Sequence, residues 1–302
     1  MIHVPVLKKE VLEYLDPKPN ENFIDCTVGE AGHAMAILGK NGPEGKVLGI
    51  DWDLQQIKNS ELLMAGSRGR LILINDSYAN LQEIVEKINF KPVNGILLDL
   101  GMSSEQLEKS GRGFTFLKDE PLDMRYNSQC QSSNVKCQNL TAEKIINEYP
   151  EKELEEIFEK YGQEKFAKKI AKEIVKKRGA ERIRSTFQLV QVIKKAVPSR
   201  FQYKRIHCAT KAFQALRIAV NSELENLKKV LPQAVSILSP GGRIIIISFH
   251  SLEDRIVKNF FQDKSKEGVL KLLLKKPVTA EADELNKNPR SRSAKLRAAI
   301  KL

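Results

Sequence analysis

Apolar runs of strand length alternate with helix-period stretches over the first hundred residues. Residues 22–28, 46–50, 71–74 and 93–98 are short apolar runs, the second followed by Asp51 and the fourth by Asp99. Between them, 31–40, 54–65 and 77–88 carry apolar positions at helical spacing. Apolar strands separated by helices predict parallel strands buried on both faces, a doubly wound α/β sheet. The rhythm stops at 107–139, which is rich in Gly, Ser, Asn and Gln and reads as loop. From Thr141 to Arg205 the pattern is helical only, with Thr141-Ala142-Glu143 ahead of Ile145 and Ile146 suiting a helix start. Phe166, Ile170 and Ile174 form an apolar stripe, and Lys165, Lys168, Lys169, Lys172 and Lys176 fall on or beside the opposite face. The α/β rhythm then resumes. Residues 212–238 read as one or two amphipathic helices broken near Pro232, 243–249 as a strong strand, 253–261 as a helix, and 269–274 and 296–302 as the last strands. The expected organisation is an α/β domain in two pieces, 1–106 and 207–302, with 107–206 supplying a loop and an inserted all-helical domain.

A chain of 302 residues, 41% hydrophobic, can bury a real core. Its longest apolar run, around 244–249, is strand-sized and far short of a membrane span. The first residues, followed by Lys8 and Lys9, lack the regions of a signal peptide, so a soluble cytoplasmic protein is expected. Cys26, Cys130, Cys137 and Cys208 are scattered with no C-x-x-C pair, which argues against a metal site and against a disulfide framework. Fifty Lys+Arg against 38 Asp+Glu leave a net charge of +12. Most of that excess lies between Lys152 and Arg205, where sixteen Lys/Arg face seven Glu. A basic excess held in one segment favours an anionic partner, nucleic acid first.

Gly29-Glu30-Ala31-Gly32 follows the first strand and opens the first crossover helix, where glycines let backbone approach a ligand. Asp51, about twenty residues on, suits a carboxylate that accepts from ribose hydroxyls; the competing Asp53 suits a helix cap. A dinucleotide needs glycine where Ala31 stands, to admit the pyrophosphate. S-adenosylmethionine has no pyrophosphate, and Pro240-Gly241-Gly242 before the fifth strand suits a methyltransferase, so that cofactor is favoured over a nicotinamide.

Ligands of open parallel sheets sit off the carboxyl ends of the strands, which puts Asp99 toward cofactor and substrate. Arg112, Phe114 and Arg125 lie in the Gly-rich loop beyond it, a composition that suits a flipped base. Phe249, His250, Glu253 and Asp254 follow strand five at the same expected edge, and Arg290 and Arg292 could contact phosphate near the end of the chain.

These residues belong to longer blocks. They include Asp25-x-Thr27-x-Gly29-x-x-Gly32-His33, Asp99-Leu100-Gly101-x-Ser103-Ser104-x-Gln106, Arg112-Gly113-Phe114-x-Phe116 and Pro121-Leu122-Asp123-Met124-Arg125. They continue through Phe213-Gln214-Ala215-Leu216-Arg217, Ser248-Phe249-His250-Ser251-Leu252-Glu253-Asp254-Arg255 and Asn288-Pro289-Arg290-Ser291-Arg292-Ser293. In this order the blocks resemble the RsmH (MraW) family, bacterial 16S ribosomal RNA cytosine-N4 methyltransferases, over nearly the whole chain. The resemblance implies a class I methyltransferase Rossmann-like sheet with an inserted helical domain. It implies S-adenosylmethionine contacts at Ala31, Gly32, His33, Asp51, Tyr78, Asp99 and Gln106. The implied substrate is one cytidine in the decoding region of 16S ribosomal RNA within the small ribosomal subunit; monomer and homodimer are both compatible. The sequence departs from the family at His207-Cys208-Ala209-Thr210-Lys211, where His-Pro-Ala-Thr-Arg is usual, and at Tyr126-Asn127, where Met-Asp is usual.

For amino methylation an acceptor must take a proton from N4. Asp99 is the first candidate, with Asp123, Glu253 and Asp254 as alternatives. Cytosine C5 methylation would need a cysteine nucleophile, and none follows strand four in a Pro-Cys loop. The rival readings are a methyltransferase of another substrate and a non-catalytic RNA-binding assembly factor on the same fold.

Overall fold

Each apolar run becomes a strand in the computed structural model, which describes residues 5–61, 64–127, 139–202 and 206–302. The strands are β1 Phe23–Asp25, β2 Val47–Asp51, β3 Leu71–Asn75, β4 Gly95–Asp99, β5 Arg243–Ser248, β6 Leu270–Leu272 and β7 Lys295–Lys301. Among the described residues they form one seven-stranded sheet in the order β3-β2-β1-β4-β5-β7-β6. Strands β1 to β5 pair in parallel, and β7 runs antiparallel to both β5 and β6. This is the sheet of class I S-adenosylmethionine-dependent methyltransferases. Its order reverses between β1 and β4, which marks the crevice at the carboxyl ends of those strands as the ligand position.

The chain forms two compact units, residues 1–101 with 224–302, and residues 102–223. In the first unit, α1 Lys8–Leu15, α2 Gly32–Leu38, α3 Leu54–Glu61, α4 Leu81–Lys87 and, after the second unit, α11 Glu223–Ile237 and α12 Ser251–Lys266 flank the sheet. Strand alternation splits the core. Ile96, Leu98, Ile244 and Ile246 pack with Leu227, Val230, Leu231 and Ala234, whereas Leu97, Ile245 and Ile247 pack with Val11, Leu15, Ala34 and Ile37. Burial on both faces is why the strands read as unbroken apolar runs.

The second unit carries α5 Ser104–Glu108, α6 Ala142–Glu148, α7 Glu151–Gly162, α8 Ala167–Ala180, α9 Thr186–Ala196 and α10 Thr210–Asn221. Thr141 accepts from the Lys144 N–H at 3.1 Å and caps α6, as the sequence suggests. Ile145, Leu154, Phe158, Ile170, Ile174, Leu189, Ile193 and Leu216 share one core.

Two features differ from the expected pattern. The helices α10 and α11 Glu223–Ile237 break at Ser222, which adopts a left-handed φ of 50°, while Pro232 sits inside α11. The division on the C-terminal side falls after Glu223, later than residue 206, because α10 packs into the core of the second unit. Gly162 permits that packing: a Cβ there would stand 2.7 Å from the Lys211 carbonyl oxygen, which is backbone and has little freedom to yield. Gly162→Ala is therefore expected to cost about 1–3 kcal/mol through overpacking, despite alanine's better helix propensity. Thermal unfolding of the purified variant checks this; an unchanged midpoint would mean that α7 and α10 separate freely.

After α12 comes α13 Ala282–Lys287. Among the described residues no helix is long and apolar enough to cross a membrane.

Candidate active site

Three carboxylates end three adjacent parallel strands: Asp51 on β2, Asp25 on β1 and Asp99 on β4. The turn after β1 ties them together. Asp25 accepts from the Thr27 N–H at 3.2 Å, and Thr27 Oγ1 accepts from the Asp99 N–H at 2.7 Å. One oxygen of Asp51 accepts from the Gly29 N–H and the other from the Asp53 N–H, both at 2.9 Å. Gly29 and Ala31 both lie in the left-handed region, with φ of 49° and 57°. Asp53 takes the helix-start role expected of it, accepting from the Gln55 N–H at 3.1 Å.

Burial dominates the electrostatics. It pushes the Asp51 carboxyl up to about 7 and the Asp25 carboxyl up to about 6, against the stabilising backbone hydrogen bonds. His33, on the first turn of α2, is 6% exposed and sets Nε2 3.6 Å from Asp99 Oδ2. Neither ring nitrogen of His33 has a hydrogen-bond partner, nor do Asp99 Oδ1 and Ser248 Oγ. Buried polar atoms are seldom left this way, so a cluster of them at strand ends is where a polar ligand belongs. Gly32 packs on Pro5, where a Cβ would meet the ring at 2.4 Å. Tyr78 follows β3, half-buried against the core on that side.

The cluster after β5 is built around a helix start. His250 caps α12, with Nδ1 accepting from the Glu253 N–H at 3.4 Å, while Glu253 Oε2 accepts from the N–H groups of Phe249 at 2.8 Å and His250 at 3.3 Å. The Phe249 ring lies against Gly101, where a Cβ would come within 2.8 Å of it. Asp254 is claimed by Arg297 at 2.7 Å and Lys295 at 3.4 Å. Burial opposes its ionisation, but these two cations hold its carboxyl below the usual range. Arg290 is half-buried and Arg292 exposed on a short turn, residues 289–293, before β7.

The other expected residues lie in the second unit. Gln106 and Ser103 form a capping box on α5, each side chain accepting from the other's N–H at 3.1 Å. Asp123 holds Arg125 in a two-pronged ion pair, both bonds 2.7 Å. Arg112 donates to the carbonyls of Arg125 and Tyr126 at 3.0 and 2.8 Å. Phe114 is buried, stacked with the Tyr126 ring at 5.5 Å and covered by the Arg112 guanidinium at 5.3 Å, so its contacts tie it to its own loop.

The departures from the family are integrated. The Tyr126 N–H donates to Asn221 Oδ1 at 2.9 Å, its hydroxyl donates to Glu223 at 3.1 Å, and Lys211 reaches the Gln163 carbonyl at 2.8 Å. Asn127 is buried, with Oδ1 unpartnered. Cys130 and Cys137 lie outside the described residues. Cys26 is buried, and burial pushes its thiol well up, so it is no nucleophile. Sequence reasoning assigned no role to Asp25 or Thr27. The available signal was the one used for Asp51 and Asp99, an acid at a strand end.

Known proteins resemble this chain along its length. A relative from Heliobacterium mobile, called ribosomal RNA small subunit methyltransferase H, is 42% identical, covering 99% of each chain. One of the same name from Sulfurihydrogenibium azorense is 44% identical, also covering 99% of each. A solved rRNA methylase from Streptococcus thermophilus aligns with 100% of this chain and 99% of its own, at 11% identity and a TM-score of 0.44. The family model described as the MraW methylase family matches residues 1–302. The methyltransferase sheet, the acids at its strand ends and this end-to-end match agree: the chain belongs to the MraW methylase family.

Proposed function

We propose that this protein moves a methyl group from S-adenosylmethionine to N4 of one cytidine in the decoding region of 16S ribosomal RNA, in the cytoplasm. The observation that carries the reading is the free Oδ1 of Asp99 at the end of β4. Each of the three alternative carboxylates already serves another group: Asp123 serves Arg125, Glu253 the start of α12, and Asp254 both Arg297 and Lys295. Asp99 alone of the four keeps an unpartnered, buried oxygen.

The residues suit the cofactor. When bound, S-adenosylmethionine supplies a methyl group on a positively charged sulfur. Asp51 would accept from the ribose hydroxyls, Ala31, Gly32 and His33 would offer the turn and first helical residues, and Tyr78 would flank the adenosine. The cytosine amino nitrogen is a weak nucleophile because its lone pair is shared with the ring. Alignment for in-line attack therefore supplies much of the rate. Accepting that methyl group would draw the N4 lone pair into the new bond and leave positive charge growing on N4. Asp99 offsets that charge and takes the proton.

The test is transfer of tritiated methyl to free small-subunit RNA and to assembled small subunits, followed by nucleoside mass analysis. N4-methylcytidine at a single position is the expected product. Label in another nucleoside would overturn the site of transfer, and cofactor binding without labelled RNA would favour the assembly-factor reading.

A further inference from the structure

We propose that the outer face of α8 is a rail for RNA phosphates, contacting the substrate away from the reacting nucleotide. This rests on the reading that RNA is the substrate. Lys168, Lys169, Lys172 and Lys176 are all exposed. At 3.6 residues per turn they fall within a sector of about 100°, opposite the buried Ala167, Ile170, Ala171 and Ile174.

Two physical penalties make this face informative. Lys168 and Lys169 occupy the first turn of α8, where the helix dipole disfavours cations, and no acid stands there to offset them. Lys168, Lys172 and Lys176 are successive like charges four residues apart, which also destabilises a helix. The packed neighbour α7 obeys the usual rule, with acids in the first turn and lysine in the last. Several other cations of the second unit are paired: Lys177 with Glu181, Lys195 with Glu173, and Arg182 with Glu143 and Glu148. Among the described residues no carboxylate pairs with Lys168, Lys169, Lys172 or Lys176, although the packed neighbour α7 displays Glu151, Glu153, Glu156 and Glu159 on its surface. Lys169 lies over the Phe166 ring at 6.0 Å, but a helix that breaks its local charge rules with no carboxylate to offset them meets that compensation in a ligand. An unpaired basic stripe two turns long complements a polyanionic strand.

The experiment replaces Lys168, Lys172 and Lys176 together by Gln, which keeps helix propensity and chain length. The control replaces Lys9, Lys40 and Lys87, exposed in the first unit, and so removes the same net charge. Binding of free small-subunit RNA and of assembled subunits is measured from low to moderate salt, alongside cofactor affinity and methyl transfer. For the α8 variant, the slope of log affinity against log salt should shrink by about two to three, following the ~0.7–0.9 per neutralised phosphate. The KM for RNA should rise about tenfold near physiological salt, with the loss carried by KM rather than kcat. Cofactor affinity should hold, and the control should change little. Equal losses in both variants would reduce the effect to net charge and overturn the rail. So would unchanged binding of the α8 variant alongside an active parent. A parent that methylates no RNA fails the substrate reading, and an α8 variant that loses only binding to assembled subunits identifies a ribosomal protein as the occupant.

Discussion

Asp99→Asn is expected to lower methyl transfer at least a hundredfold while the protein stays folded and still binds cofactor. The substitution keeps size and shape, and the backbone N–H that donates to Thr27 Oγ1 is untouched. What disappears is the negative charge on a buried oxygen and its capacity to take a proton. General-base catalysis is worth about a hundred- to ten-thousandfold, and a preorganised charge beside a developing cation falls in the same range. Single-turnover transfer with saturating RNA separates the chemical step from binding. If Asp99→Asn retained parental turnover and cofactor affinity, the acceptor would have to be one of the carboxylates already engaged elsewhere. Asp99→Glu, which keeps the charge but moves it, should fall between the two.

Cofactor affinity should rise with pH up to about neutrality and then level off. Burial holds the Asp51 carboxyl at about 7 in the unliganded protein, so below that pH a proton occupies the group that should accept from ribose. A ligand that prefers the ionised form must displace the proton, which limits the gain to about tenfold per pH unit. Asp51→Asn should remove this dependence and weaken binding roughly ten- to a hundredfold, the worth of a hydrogen bond to a charged group. Stability runs the other way. A carboxyl raised in the folded state binds its proton more tightly there than in the unfolded chain, so its contribution is fullest below about 4 and is lost as pH climbs toward 7. Asp25, at about 6, adds a loss of the same sign over a narrower window. The unliganded Asn variant should therefore be at least as stable as the parent above neutrality while binding cofactor worse. Calorimetric titration and thermal unfolding across pH 5.5–8.5 measure both; an affinity flat in pH for the parent would remove Asp51 from the ribose.

The central strands β1, β2, β4 and β5 were legible because they are buried on both faces and so read as unbroken apolar runs. Asp51 and Asp99 were legible because acids that end strands of a parallel sheet share one edge. Asp25 carried the same signal, but inside a run dense with other features. Ser222 had no signal of its own, since a left-handed serine has none of glycine's signature, whereas Pro232 is a strong helix-breaking signal that the packing of α11 tolerates. The division after Glu223 was invisible for a different reason. α10 and α11 are both amphipathic, and only tertiary packing tells which core each one serves. Phe114 and Arg112 show the limit of reasoning from residue type, because aromatics and arginines that suit a base can spend their contacts and donors on their own loop.

The interruption of the sheet also bears on how the chain is made. Strands β3, β2, β1 and β4 lie within the first hundred residues, yet the strand that covers the far edge of β4 begins only at Arg243. The second unit is one unbroken stretch and can close its own core before then. During synthesis, β4 therefore presents an unpaired apolar edge, Gly95-Ile96-Leu97-Leu98, for as long as the intervening stretch takes to emerge. Its proper partner arrives at a large sequence separation, which makes the pairing slow to find. The vulnerability of this fold to misassembly is thus concentrated in translation, before β5 leaves the ribosome, and is closed off once the sheet is complete.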